Sequence, residues 1–191
     1  MKYSRQNPSE EYLSLGEQYR LFHSIPYEWE KRKVAPEDIF VVDRMQIVVL
    51  TIKKLMEQHD CRSIINFGCG KPDEFFKYKY INKSVKKPSQ HVDRSVSPQY
   101  DSVYNFLGEP YVKMYDPGIE EVSVYPDFPA EIVVCTDVLE HIPAQDIPWF
   151  LDELLKLTTK VLYITICLSP ALTILPDGRN AHVCIKPREW W

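Results

Sequence analysis

Glycine is scarce in this 191-residue chain: six glycines stand against fifteen prolines, where average usage of about 7% would give roughly thirteen glycines. A collagen-like reading is excluded, and each glycine is expected to mark a real backbone need. Long apolar runs are missing too. None approaches the ~20 residues that cross a bilayer, and Met1 to Gln6 lacks the apolar core of a signal peptide. A cytoplasmic protein with no membrane role is the expectation. The five cysteines, Cys61, Cys69, Cys135, Cys167 and Cys184, are odd in number and form no C-x-x-C pair, so neither a disulfide framework nor a zinc knuckle is indicated. They read as small buried side chains in a reducing compartment. A net charge of −4 gives no global pull toward nucleic acid or anionic lipid, although a local patch could supply one.

What is present is an ordinary soluble composition, 45% apolar, 26% charged and 13% aromatic, which sets disorder and coiled coils aside. At roughly 100–200 residues per domain the chain is one domain, residues 1–191. Prolines are absent from residues 37–71 and 149–169, the windows where uninterrupted elements can form.

Residues 9–23 open with Ser9 and two acids and carry Tyr12, Leu15, Tyr19 and Phe22 at spacings of three and four, which predicts an amphipathic helix. A loop with the charge cluster Glu28 to Lys33 follows, then a long helix from Pro36 toward His59. The apolar run Ser63 to Phe67 reads as a buried strand ending at Gly68, and Pro72 suits the first position of another helix. Residues 81–105 lose periodicity and read as a long basic loop or insertion. Strands are expected at Tyr111–Tyr115, Ile132–Cys135 and Val161–Leu168, with a helix from Asp146 to Leu157 between the last two. Strands alternating with helices, each strand apolar on both faces, predict an α/β fold with a mostly parallel sheet between helical layers.

Gly68-Cys69-Gly70 after an apolar strand is the geometry that lets backbone approach a nucleotide, or it is a simple tight turn. Asp73 and Glu74 at the next helix start would repel the phosphates of a dinucleotide or nucleoside triphosphate. There is no Gly-Lys-Ser/Thr, and Lys71-Pro72 stands where a third glycine would be. S-adenosylmethionine, a sulfonium cation without phosphate, suits an acid-flanked glycine turn better. Farther on, Asp137, Glu140 and His141 are spaced i, i+3, i+4 and would share one face of a helical turn, and His182 could reach the same crevice at the carboxyl ends of the strands. Three readings stay open: a general base at His141 or His182, a divalent-metal site at Asp137, Glu140, His141 and His182, or structural capping. The lysines at 77, 79, 83, 86 and 87, with Arg94, alternate with Phe75, Phe76, Tyr78 and Tyr80. That mixture suits nucleic-acid stacking, but a solvated helix end and loop is the plainer reading.

Ser63-Ile-Ile-Asn-Phe-Gly-Cys-Gly70, the acid-ended Tyr111-Val-Lys-Met-Tyr-Asp116, Ile132-Val-Val-Cys-Thr-Asp-Val-Leu-Glu-His-Ile-Pro143 and Leu175-Pro-Asp-Gly-Arg-Asn-Ala-His182 occur in the order of class I S-adenosylmethionine-dependent methyltransferases. Over about residues 60–191 the chain resembles a compact, divergent member of the bacterial and phage type. The resemblance implies a Rossmann-like three-layer sandwich, short of the last strand or strands of that fold. It implies that Asn66, Gly68, Cys69, Gly70, Asp116, Pro117, Asp137 and Val138 line the cofactor, Asp116 on the ribose hydroxyls, and that Glu140, His141 and His182 are catalytic. Residues 1–35 would form a helical lid. The acceptor would be a small molecule, a sugar or a nucleic acid. A divalent metal is a second expected cofactor, since the acid-x-x-Glu-His spacing is similar to that of metal-assisted O-methyltransferases. The missing third glycine, and Asn66 where an acid is usual, raise the alternative of a catalytically silent cofactor-binding subunit. The paired Trp190 and Trp191 are costly to leave in water. They imply packing onto the sheet, a homo-oligomer or other partner over the sheet edge, or a chain shorter than the family.

Overall fold

The computed structural model describes residues 2–24, 27–29, 32–34, 44–72, 75–76, 80–81, 99–100 and 102–191. Helix α1 (Glu10–Ser24) is followed by a short antiparallel pair, β1 (Tyr27–Trp29) and β2 (Arg32–Val34), and by α2 (Arg44–Gln58). Strand β3 (Ser63–Phe67) leads to a second small antiparallel pair, β4 (Tyr80–Ile81) with β5 (Gln99–Tyr100), then to α3 (Val103–Leu107) and β6 (Tyr111–Tyr115). Strand β7 (Ala130–Thr136), helix α4 (Ile147–Lys156) and β8 (Thr158–Thr165) follow. The four long strands form one sheet in the order β6-β3-β7-β8, all parallel.

Strand period and helix period account for the layers. In β3 and β7, Ile64, Ile132 and Val134 point to one face and meet Val49, Ile52 and Met56 of α2 with Val103, Phe106 and Leu107 of α3. The alternate residues Ile65, Phe67, Val133 and Cys135 face Trp149, Phe150 and Leu154 of α4. Both faces of the central strands are therefore covered, the condition under which an all-parallel sheet is stable. Val49, Ile52, Ile132 and Leu154 are fully buried, each side chain contributing about 1.5–3 kcal/mol of hydrophobic stabilisation. The architecture is α/β, with a four-stranded parallel sheet between helices. Among the described residues no strand follows β8, and no helix is long and apolar enough to cross a membrane.

Several expectations from the sequence are met closely. Ser9 caps α1, its Oγ accepting the Tyr12 N–H, and β3, β6, β7 and α4 fall within two residues of their expected ends. Three differ. Residues 103–107 are helical rather than loop, capped by Ser102 and closed by Gly108 in the left-handed region at φ 89°. Strand β8 is displaced toward the N-terminus, because its ladder with β7 runs from Ala130–Thr158 to Thr136–Thr165 and then stops. The N-terminal 35 residues include the β1–β2 pair as well as α1. The starts of the helices expected at Pro36 and near Pro72, and the basic stretch 82–98, lie largely outside the described residues. All five cysteines are free thiols; Cys61, Cys135 and Cys184 are buried, while Cys69 and Cys167 are half-buried. Trp191 packs on the α4 side of the core and Trp190 stacks edge-on against it, staying 46% exposed.

The amino-terminal edge of the sheet is pinned by charge. The Glu131 carboxylate accepts the Arg62 N–H and pairs with Lys160 at 2.9 Å, while Lys160 also donates to the carbonyls of His59 and Asp60. These contacts lower the Glu131 pKa from 4.5 to about 2, the Lys160 ammonium contributing most. A depressed folded-state pKa means stabilisation that is present above pH 4.5 and lost as pH falls toward 2. Urea midpoints of wild type and Glu131→Gln should therefore converge as pH falls through that window; a gap that stays constant would contradict the pairing.

Candidate functional site

The strand order creates the crevice. From β6 the chain crosses over β3 to reach β7, so the connections leaving β3 and β7 run to opposite sides and a ligand can enter between their carboxyl ends. Phe67 ends β3, and Gly68 and Gly70 both take positive φ, 72° and 61°. The turn is tied to the end of β6: the N–H groups of Gly68 and Cys69 donate to the Tyr115 carbonyl at 2.7 and 3.1 Å, and the Gly70 N–H donates to Asp116 Oδ2 at 2.9 Å. Asp116 Oδ1 accepts the Gly118 N–H at 2.9 Å. Each Asp116 oxygen has thus given one acceptor site to backbone and retains capacity for a second donor.

On the β7 side, Val138 closes against the turn. A Cβ built on Gly68 would lie 2.3 Å from Val138 Cγ2, whereas one on Gly70 would meet nothing within 4 Å. Asn66, Gly68, Cys69, Gly70, Asp116 and Val138 therefore gather around the ends of β6, β3 and β7, with Asn66 buried inside β3 and Pro117 exposed in the turn after Asp116. Burial, with Asp116 adding to it, pushes the Cys69 thiol far above its ordinary pKa, so Cys69 is a protonated, unreactive lining group.

Asp137, Glu140 and His141 do not share a helix face. Asp137 turns into the left-handed region at φ 53° and Leu139–His141 form a single 3-10 turn, which sends the three side chains apart. The Asp137 N–H donates to the Thr165 carbonyl and its Oδ1 accepts the Thr165 hydroxyl at 3.2 Å, tying it to the end of β8. Glu140 points inward and is fully buried. Its Oε1 accepts the Cys167 N–H at 2.8 Å, and Oε2 has no hydrogen-bond partner. Burial raises the Glu140 pKa against the opposing pull of those backbone hydrogen bonds. His141 Nδ1 sits 2.6 Å from Tyr19 Oη and 2.9 Å from the Ala181 carbonyl, which also accepts from Tyr19 at 2.8 Å. His182 stacks edge-on against His141 with ring centroids 4.7 Å apart, its Nδ1 2.6 Å from the Ser169 carbonyl.

The four-residue metal set expected from spacing is therefore redrawn. Among the described residues, the donors that converge are Glu140, Cys167 and His182, without Asp137 or His141. Cys167 was hidden because the apolar run Val161–Leu168 reads as one strand; its position two residues past the end of β8, at the carboxyl edge of the sheet, is the signal that finds it. Tyr19 belongs to the aromatic stripe of α1 and is raised in pKa by burial and by Glu140. With Leu15 packed on Leu175 and Ala181, it places α1 over His141. Concavities of about 460 and 260 Å3 lie beside Tyr3, Ser9, Gln145 and Trp149, lined by none of the crevice residues. Comparison of the chain with protein-family models, curated proteins and solved structures gives no match.

Proposed function

We propose that this chain is an S-adenosylmethionine-dependent methyltransferase acting on a small-molecule, sugar or nucleic-acid acceptor. The observation that carries the reading is the crevice between β3 and β7. A glycine that admits no side chain lies on one wall, and a carboxylate with spare acceptor capacity stands beside it at the end of β6. Two ribose hydroxyls are two donors for the two Asp116 oxygens, and a sulfonium ligand needs no phosphate cradle.

In the reaction, a lone pair on the acceptor forms a bond to the methyl carbon. The carbon–sulfur bond breaks with its electrons going to sulfur, and the acceptor proton passes to a base. The leaving group is already supplied by the cofactor, so the protein contributes mainly alignment. Glu140, His141 and His182, around the ends of β7 and β8, are the groups available to take the proton.

Calorimetry tests the reading: S-adenosylhomocysteine should bind at micromolar concentration, and Asp116→Ala should weaken it at least tenfold. Asp116→Asn, which keeps one acceptor oxygen, should fall between them. Wild-type protein that binds no S-adenosylhomocysteine at millimolar ligand, or that binds NAD or ATP more tightly, would sink the proposal.

A further inference from the structure

We propose that Glu140, Cys167 and His182 hold a zinc-class divalent cation at the carboxyl edge of β7 and β8. Each residue offers one ligand atom, and the three atoms lie within 4.8 Å of one another. Donors around a tetrahedral zinc, at bond lengths of about 2.0–2.3 Å, sit roughly 3.3–3.8 Å apart. Binding closes the widest pair by roughly 1–1.5 Å at most.

Three local features prepare these donors. The Glu140 side chain is sealed from solvent, and while Oε1 is satisfied by the Cys167 N–H, Oε2 has no hydrogen-bond partner among the described residues. Leaving such an oxygen unpaired is costly, and a cation beside it removes that cost. The His182 ring nitrogen Nδ1 lies 2.6 Å from the Ser169 carbonyl. A carbonyl only accepts, so Nδ1 carries the hydrogen and Nε2 presents its lone pair, the tautomer that metal-bound histidines adopt. The same short segment places the half-buried Cys167 thiol 3.7 Å from that carbonyl, so one loop orients both the sulfur and the imidazole.

The donor chemistry selects the ion. Magnesium and calcium take oxygen ligands, whereas one thiolate, one imidazole and one carboxylate suit a borderline-soft ion such as zinc. Three protein donors leave the fourth tetrahedral position to water or to another oxygen ligand, the pattern of zinc sites that do chemistry. The site shares no donor with the glycine turn or Asp116, so cofactor binding does not depend on it; with Glu140 and His182 coordinated, His141 is the group left to take the acceptor proton.

Cobalt(II) replaces zinc in such sites and reports its ligands spectroscopically. Titrating the full chain with cobalt chloride, with no methyl donor present, should give one ion per chain, a tetrahedral visible spectrum and a sulfur-to-cobalt charge-transfer band. Cys167→Ser should remove the band, Cys61→Ser should leave it, and His182→Ala should weaken cobalt binding at least tenfold, with far-ultraviolet circular dichroism confirming that each variant is folded. A wild-type spectrum typical of hexa-aquo cobalt, or a charge-transfer band that survives Cys167→Ser, would overturn the assignment. Because cobalt is read without cofactor and S-adenosylhomocysteine without metal, failure of either proposal is seen separately.

Discussion

Alanine at Gly68 is expected to destabilise the fold by about 2–5 kcal/mol and to abolish measurable S-adenosylhomocysteine binding. Two costs add. A φ of 72° is the left-handed region, worth about 1–2 kcal/mol against a residue with a Cβ. The new methyl would also sit 2.3 Å from Val138 Cγ2 and 3.3 Å from Cγ1, far inside van der Waals contact, and overpacking of this kind costs about 1–3 kcal/mol. Val138→Ala in the same chain should recover the packing part and not the backbone part. A double-mutant cycle in urea should therefore show a favourable coupling of about 1–3 kcal/mol. Gly70→Ala is the control, having the positive φ but open space around it, and should show the backbone cost alone. Gly68→Ala within 0.5 kcal/mol of wild type, or a cycle with no coupling, would mean that Val138 does not seat on the turn.

Asp146→Ala should be at least as damaging, with a loss of about 3–5 kcal/mol. The side chain is completely buried at the start of α4 and is an acceptor for three donors: the Ser9 N–H at 3.0 Å, the Ser9 hydroxyl, and the Trp149 indole N–H at 2.7 Å. Removing it strands three donors in a closed environment, at about 1–3 kcal/mol for each that finds no water. Ser9→Ala removes only the hydroxyl and should cost about 1 kcal/mol. Since Ser9 is also the cap of α1, hydrogen exchange in the Asp146→Ala protein should rise first across Glu10–Ser24, the helix that carries Tyr19 to His141. Exchange that rises evenly through the sheet instead would show that Asp146 serves α4 alone.

How much was legible in the sequence depended on how far apart the deciding residues lie. Strands β3, β6 and β7 were readable because short apolar runs end at glycine, at Asp-Pro-Gly or at a polar turn within the same few residues. Helix α4 was readable from Asp146 and Pro148 at its start. Helix α3 was not, since five residues are too few for a periodic pattern, although Ser102 and Gly108 already carried both capping signals. The site was legible as a place and not as an arrangement. Spacing put Asp137, Glu140 and His141 on one face on the premise of regular helix, and a single left-handed residue at Asp137 defeats that premise. Nothing adjacent in sequence marks it, because its N–H is claimed by Thr165 in another strand. Cys167 enters the cluster by the same route, through a backbone hydrogen bond to Glu140 from the far end of β8.

The sheet register also orders the assembly of the chain. Strands β7 and β8 meet by pairing Ala130 with Thr158, the closure with the shortest sequence separation in the parallel sheet. Strand β3 pairs with β6 from Ser63–Tyr111 onward and with β7 from Ile64–Ile132 onward, and both pairings enclose longer loops. Each doubling of loop length adds about 0.6 kcal/mol of closure entropy, so the parallel β7–α4–β8 crossover unit is the cheapest nucleus. The glycine turn acquires its shape only when β3 has docked on both sides, against Tyr115 and against Val138. Binding competence is therefore a late event in folding, and a ligand gripping that turn would act as a clasp on the half of the sheet that closes last.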